Sequence, residues 1–411
     1  MIHIRSFRTH LVTPSGVTNV VAPPYDSMSP EERASFGADH PENFINAIRS
    51  LEEFPDREKL SLRELLRENS AVLENCLKSK DFEYESQPNL FIYQLSQKEH
   101  TQTGIVAEVP LSDYHEGLIR GHESTRSDHE DHLYQYLKAV RAVSSPICAT
   151  YRGNSFIEKI VSETAKDPAW LDFQDDYGVT QKIWRVTDLE VQSRLEALFR
   201  EVPLLYLTDG HHRVAAGARH AKQQILDHQG DGPWNYLLMA LFPIDHMRIL
   251  AFNRCIKDRG DVSINDVMDG LSKVFSVEHC QPDEFDFYGP RRRGEFVLLI
   301  DNRYYRLIIT PKLIPDHPVE CLDVSLLQKY VLEPLLGIRN PRSDPRLDYI
   351  SGDLGLTGLR ERCSSGWRVG FACYPPSFDQ LTAVADAGLQ MPPKSTCFDP
   401  KVRSGIFVRR L

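Results

Sequence analysis

VPLLYLTDGHHRVAAGARHAKQQ, residues 202–224, is the most informative stretch of the chain. The apolar run Leu204 to Leu207 predicts a buried strand, Thr208-Asp209-Gly210 a tight turn, and the Ala-rich remainder, interrupted only by Gly217, a helix. A helix that opens directly off a strand presents unpaired backbone N–H groups and the positive end of its dipole, so this turn has the components of a phosphate site. Gly210 lets the backbone approach an anion with no Cβ in the way, and His211, His212 and Arg213 add donors, Arg213 a bidentate one. Asp209, at the strand end, suits a divalent cation such as Mg2+ beside the phosphates. An Asx turn leading into a solvated helix start explains so short a pattern equally well.

Upstream, the histidines concentrate: nine of the 15 lie between positions 115 and 246. Within LIRGHESTRSDHEDH (118–132), Glu123 follows His122 near a predicted strand end, and a carboxylate there can act as general base on a substrate hydroxyl, with His122 beside it in the catalytic set. A charged, solvated helix start is the plainer alternative. His129 and His132 share a helix face, but HExxH is absent and spacing places no third ligand, so a zinc site is not expected. Downstream, MPPKST (391–396) offers Lys394, Ser395 and Thr396 to an anionic substrate group, and APPYD (22–26) offers Tyr25 and Asp26. For both blocks, a turn that serves only geometry is the commoner explanation.

Around these motifs the patterns are those of a mixed α and β chain. Leu60, Leu65, Leu66, Leu73 and Leu77 recur at helical spacing from about Asp56 to Lys80. NLFIYQLSQ and GIVAEVPL flank a polar KEHTQT turn as a hairpin, 128–142 reads as a helix, SSPICATY starts a strand, and WNYLLMALFPID and FNRCI read as strands. Beyond a GPRRRG linker at 289–294, EFVLLIDNRYYRLIIT predicts a hairpin turning at Asp301-Asn302. LDVSLLQKYVLEPLLG predicts a helix stopped by Gly337, and SFDQLTAVADAG one with a Ser377/Gln380 capping box and Gly388 at its end. The tail from Met391 looks too rich in proline and polar residues to be core.

At roughly 150 residues per domain, 411 residues allow two or three units. The sequence divides most simply into 1–104, 105–255 as the phosphate-binding core, and 256–411. A mean hydropathy of -0.37 is that of an ordinary globular chain, and a net charge of -10 with a pI near 5.9 excludes a globally cationic surface, so nucleic acid is not the expected partner and any anion site must be local. Scattered cysteines without CxxC spacing, no apolar signal segment and no run of eighteen apolar residues lead to the expectation of a cytoplasmic chain with reduced thiols and no membrane partner.

Seven ordered blocks carry a resemblance to a bacterial family of unknown function: Ala22 to Asp26, His40 to Phe44, Gly121 to Thr125, Ser145 to Ile147, Asp209 to Arg213, Asn253-Arg254 and Met391 to Thr396. The order HE, PI, DGHHR also resembles the free-serine kinases of the ParB/sulfiredoxin-like superfamily. That resemblance implies an α+β fold with a ParB/sulfiredoxin-like mixed-sheet core and α/β extensions at either end. It also implies Glu123 as base, Asp209 as a second catalytic or magnesium-associated carboxylate, and Gly210, His211, His212 and Arg213 as phosphate binders. The chain departs from the family at His132, where arginine is usual, and at Ser27, where an apolar residue is. The implied activity is transfer of phosphate from ATP, ADP or pyrophosphate to the hydroxyl of L-serine or a similar amino acid. The same machinery run as phosphoserine dephosphorylation, and a non-catalytic ParB-like nucleotide-binding module, are the alternatives; a homodimer is compatible with either.

Overall fold

The computed structural model describes residues 1–25, 28–54, 60–227, 230–257, 263–281 and 289–411. Its first hairpin is tighter than the polar KEHTQT run predicts. Strand β1 (Leu90–Gln97) turns at Lys98-Glu99 directly into β2 (His100–Pro110). The polar residues pair across the ladder instead of looping out: Ser96 with Thr101 and Gln94 with Thr103, each through a side-chain hydrogen bond of 2.9 Å. Residue 104 therefore lies inside β2.

Both faces of β1 are buried, which places it in the middle of a sheet. Leu90 and Ile92 join Ile105, Ala107, Met239 and Leu241 in one apolar cluster. Phe91 points the other way, its ring centroid 5.3 Å from Phe7 and 5.1 Å from Phe407. Six further strands complete the sheet: β3 (Ile119–Arg120), β4 (Ile147–Tyr151), β5 (Leu171–Gln174), β6 (Thr180–Val186), β7 (Leu205–Asp209) and β8 (Tyr236–Pro243). Their order is β3-β7-β4-β8-β2-β1-β6-β5, with β3/β7 and β4/β8 parallel and the other neighbours antiparallel. The protein is α+β, with a mixed sheet at the centre of its first unit.

Three helices of this unit matter below. Helix α1 (Leu62–Lys78) begins six residues later than the leucine spacing predicts, because Ser61 and Glu64 cap it reciprocally; residues 55–59 lie outside the described ones. Helices α2 (Ser127–Val140) and α3 (His211–Leu226) lie side by side and run the same way. His212 meets Arg126 at their starts, and further along Arg219 pairs with Asp131 and lies over the Tyr134 ring.

Two compact units result: Met1–Gly121 with Thr125–Met247 and Pro400–Leu411, and His122–Ser124 with Arg248–Asp399. The second has its own sheet, made of β9 (Asn253–Ile256), β10 (Phe275–Cys280), β11 (Glu295–Ile300), β12 (Arg303–Ile309), β13 (Leu347–Ile350) and β14 (Val369–Ala372). The order is β10-β12-β11-β14-β9-β13, antiparallel throughout. As predicted, β11 and β12 turn at Asp301-Asn302, both at positive φ as a two-residue hairpin turn requires. GPRRRG is not a linker but the turn into β11, where Arg291 lies 3.3 Å from the buried Glu295.

Two more expectations need correction. The run from Asp323 is α-helical only to Leu327 and then widens, Glu333 N–H donating to the Gln328 carbonyl five residues back. Pro334 has no N–H to give Tyr330, so an ordinary helix cannot continue there. Helix α4 (Phe378–Asp386), by contrast, carries the predicted capping box. The tail is core after all: Met391, Ser395, Ile406, Phe407 and Val408 are buried. Its polar residues are paired, which is what lets them enter. Arg403 makes an ion pair of 2.7 Å with Asp175, and Gln102 donates to the Pro400 carbonyl at 3.0 Å.

Arg409 is the strictest of these tail anchors, 3% exposed, 2.9 Å from Glu108 and donating to the carbonyls of Pro233 and Tyr236. Replacing it leaves Glu108 with only Arg5, at 2.6 Å, as charge partner among these contacts. Arg409→Met is expected to cost about 3 kcal/mol, the scale for breaking a buried ion pair from one side. Calorimetric unfolding of the variant against the parent checks it.

Candidate functional site

Strand β7 delivers its last residues through a bulge. Leu207 is opposite Ala149 and Asp209 opposite Cys148, so Thr208 is an extra residue that re-aims the strand end. The turn is then made by one residue: Gly210, at φ 94°, is the N-cap of α3, and an added Cβ would sit 3.0 Å from Arg213 Nε. Gly210 has no side chain to cap α3 and no acidic residue occupies its first turn, so no side-chain charge within that turn offsets the positive pole of the helix.

Arg213 folds back over this turn. Its Nη2 pairs with the Asp209 carboxylate, and its Nη1 donates to the carbonyls of Ser145 and Pro146 at 2.9 and 3.0 Å. The SPI block thus serves as the floor that orients the guanidinium. Burial pushes the Asp209 carboxyl up, but Arg213, Lys401 and His211, with the Gly210 N–H, outweigh it and hold the group below the usual carboxylate range. Lys401, which sequence reasoning missed, comes from the tail, where Ser404 bonds Ser145 and Gly405 N–H donates to the Ser144 carbonyl at 3.2 Å. Nothing in PKVRSG as a pattern signals this.

The two histidines differ. His211 is 7% exposed, and burial lowers its pKa to about 4, so it is neutral at pH 7. A Cβ on Gly121 would lie 2.9 Å from its Cδ2, so glycine is needed for this approach. His212 Nε2 accepts from the Arg126 N–H at 2.9 Å, and its ring lies 5.4 Å from that of His129. The start of α2 is thereby tied to the start of α3, and Asp128 and Glu130 in the first turn of α2 offset the positive pole of that helix.

The second group of predicted residues lies within the second unit. His122, 1% exposed, has Nε2 3.1 Å from Thr396 Oγ1, and its carbonyl accepts from the Met391 N–H at 2.8 Å. Thr396 Oγ1 also lies 3.4 Å from Glu123 Oε1, while Arg342 donates to Ser124 Oγ at 2.7 Å. GHExT and MPPKST, some 270 residues apart, are therefore one local structure. Lys394, at φ 55°, has its carbonyl held by Arg254 at 3.0 Å and its ammonium 5.3 Å from the Phe252 ring. Ser395 is buried and donates to the Pro392 carbonyl at 2.6 Å. Tyr25 belongs to neither group: its hydroxyl donates to the buried Glu53 at 2.7 Å, with Arg33 over its ring. Asp26 lies outside the described residues. Among the described residues no group of three His, Cys, Asp or Glu is arranged to hold a metal ion.

A family described as a protein of unknown function, DUF1015, matches residues 4–325. The chain belongs to that family. The match bears out the family resemblance, and six of the seven sequence blocks lie inside it, Met391 to Thr396 lying beyond its end. Among solved structures, this DUF1015 protein is similar to a free serine kinase in complex with AMP, at 12% identity and a TM-score of 0.36 over 76% of this chain and 94% of that one. SbnI with C-terminal truncation from Staphylococcus aureus gives 12% and 0.36 over 72% and 82%. A conserved hypothetical protein from Pyrococcus furiosus gives 11% and 0.34 over 74% and 94%. No curated protein matches the chain in sequence. No helix among the described residues is long and apolar enough to cross a membrane.

The state of His211 is open to test. Its folded pKa, about 4, lies below the ordinary 6.5, so the unfolded chain binds the extra proton first as pH falls. Its contribution to stability is complete above pH 6.5 and is lost between about 6.5 and 4. His211→Gln is expected to flatten the stability profile across that window, read by urea midpoints at several pH values, and the His211 ring resonance should titrate near 4.

Proposed function

We propose that this DUF1015 protein is a nucleotide-dependent phosphotransferase that moves a phosphoryl group to the hydroxyl of a small molecule, with L-serine or a serine-like amino acid as acceptor. The observation that carries the proposal is the uncapped start of α3, closed by Gly210 and lacking any acidic side chain in its first turn. The acceptor class rests on the order of the HE, PI and DGHHR blocks.

In this reading the N–H groups of His211, His212 and Arg213 take the phosphate oxygens, and Gly210 leaves them room. Arg213 is held in one orientation by two carbonyls and Asp209, so its guanidinium is pre-set and loses little freedom when an anion arrives. Neutral His211 adds no charge but packs the turn against Gly121. Glu123 is the proposed general base: its carboxylate is about a third exposed, and Thr396 fixes its direction. Lys394, Ser395, Thr396, Tyr25 and Asp26 remain candidates for substrate contact.

Magnesium fits this site as an ion carried by the nucleotide. Asp209 is the ionised carboxylate present, and Mg2+ commonly takes one or two carboxylates with the rest of its shell from phosphates and water. Such an ion would neutralise phosphate charge.

Two experiments test the proposal. The protein is incubated with Mg2+, L-serine and ATP, ADP or pyrophosphate in turn, and separately with phosphoserine, while 31P NMR follows the phosphate. Conversion in at least one combination is expected; none in any would overturn the reading. Glu123→Gln should then lower turnover by about 10²-fold or more while nucleotide affinity by calorimetry stays unchanged. Arg213→Lys, which cannot reproduce the fork, should weaken nucleotide binding instead.

A further inference from the structure

Away from these residues, the second unit contains two thiols in contact. Cys255 Sγ lies 3.7 Å from Cys363 Sγ, and 108 residues separate the two along the chain. Cys255 is wholly buried on β9, in an apolar cluster with Val297, Leu299, Ile350 and Leu359. Cys363 sits in the last turn of helix Gly355–Ser364 and is partly exposed. Cys363 is therefore the more accessible residue of the pair, and Cys255 backs it from inside.

The contact is built into the sheet. Gly370 on β14 is directly opposite Cys255 in register, and a Cβ on Gly370 would lie 2.7 Å from Cys363 Sγ. Only a residue without a side chain leaves that sulfur its place over the strand. The two sulfurs are already in van der Waals contact at 3.7 Å, and a disulfide would bring them to about 2.05 Å.

We propose that Cys363 and Cys255 form a peroxide-reactive dithiol, Cys363 the attacking sulfur and Cys255 the resolving one. The Cys363 thiolate attacks the distal oxygen of a hydroperoxide, the O–O bond breaks, and the leaving oxygen takes a proton to depart as water or an alcohol. Cys363 is then a sulfenic acid. Cys255 loses its proton, attacks that sulfur and expels hydroxide, which takes up the proton as water. Two thiols are oxidised, one peroxide is reduced, and the product is the Cys255–Cys363 disulfide. The chemistry fits the electrostatics. The hydrogen bond the two sulfurs share lowers the Cys363 pKa despite burial, while that same bond and burial raise that of Cys255 and keep it protonated.

The disulfide would tie a helix to a central strand of the second unit. Arg254, next to Cys255, holds the Lys394 carbonyl at 3.0 Å, so the oxidised form also stiffens the support of the MPPKST segment.

The test uses the full chain. The reduced protein is treated with equimolar hydrogen peroxide, quenched with an alkylating reagent and digested, and the peptides are read by mass spectrometry. The expected result is a Cys255–Cys363 cross-linked peptide, with Cys76 and Cys321, the other partly exposed thiols, still alkylated. With Cys255→Ser, dimedone should trap a sulfenic acid at Cys363; with Gly370→Ala, which displaces the sulfur, cross-linking should fall at least several-fold. Oxidation of Cys76 or Cys321 ahead of Cys363, or no cross-link in the parent protein, would overturn the proposal. The parent measurement stands even where a variant fails to fold.

Discussion

Arg213 closing on Asp209 across the turn from β7 to α3 is the interaction on which the geometry of that turn depends. An isolated pair of that kind would cancel its own charge and leave little for a ligand. Here the guanidinium also donates to two carbonyls of the SPI segment, so its position is fixed by backbone rather than by the carboxylate alone. A phosphate approaching α3 would meet an ionised Asp209, which repels it. The turn can favour anions only if other positive terms exceed that repulsion. The positive pole of α3, Arg213 and Lys401 are the candidate terms.

Lys401 shows why a short motif does not describe a site. DGHHR specifies the glycine turn and the helix start, and both follow from local rules: a positive φ at Gly210 and a helix with no cap. The cation that completes the cluster comes from the tail, brought in by Arg403 on Asp175 and Ser404 on Ser145. Composition marked that tail as surface, since proline and charge usually are. It is core because each polar group has a partner, and partner identity is a long-range property that no window of sequence contains.

The same limit separates what was legible in the second unit from what was not. The β11–β12 hairpin and the capping box of α4 are read correctly from a few neighbouring residues, because turn and cap chemistry is local. The widening of the helix after Leu327 was readable in principle, since Pro334 lacks the donor an ordinary helix would use. The pairing of His122 and Glu123 with Thr396 was not. Each block looked like a charged or proline-stiffened loop, and only the fold makes Thr396 the residue that orients the carboxylate.

Histidine-rich stretches suggest metal, and here they are used differently. His122 and His211 are almost wholly buried, and burial holds His211 neutral. A lysine at either place would impose a charge that the interior could not solvate, and an apolar residue at 122 would forfeit the hydrogen bond between the imidazole Nε2 and Thr396 Oγ1. At position 211 the distinction has a consequence for the Arg213–Asp209 pair. A cationic side chain beside Asp209 would compete with Arg213 for the carboxylate and loosen the guanidinium from the SPI carbonyls. A neutral ring fills the same space against Gly121, leaves the Arg213–Asp209 pair undisturbed, and lets the helix dipole rather than a side-chain charge set the field at the turn.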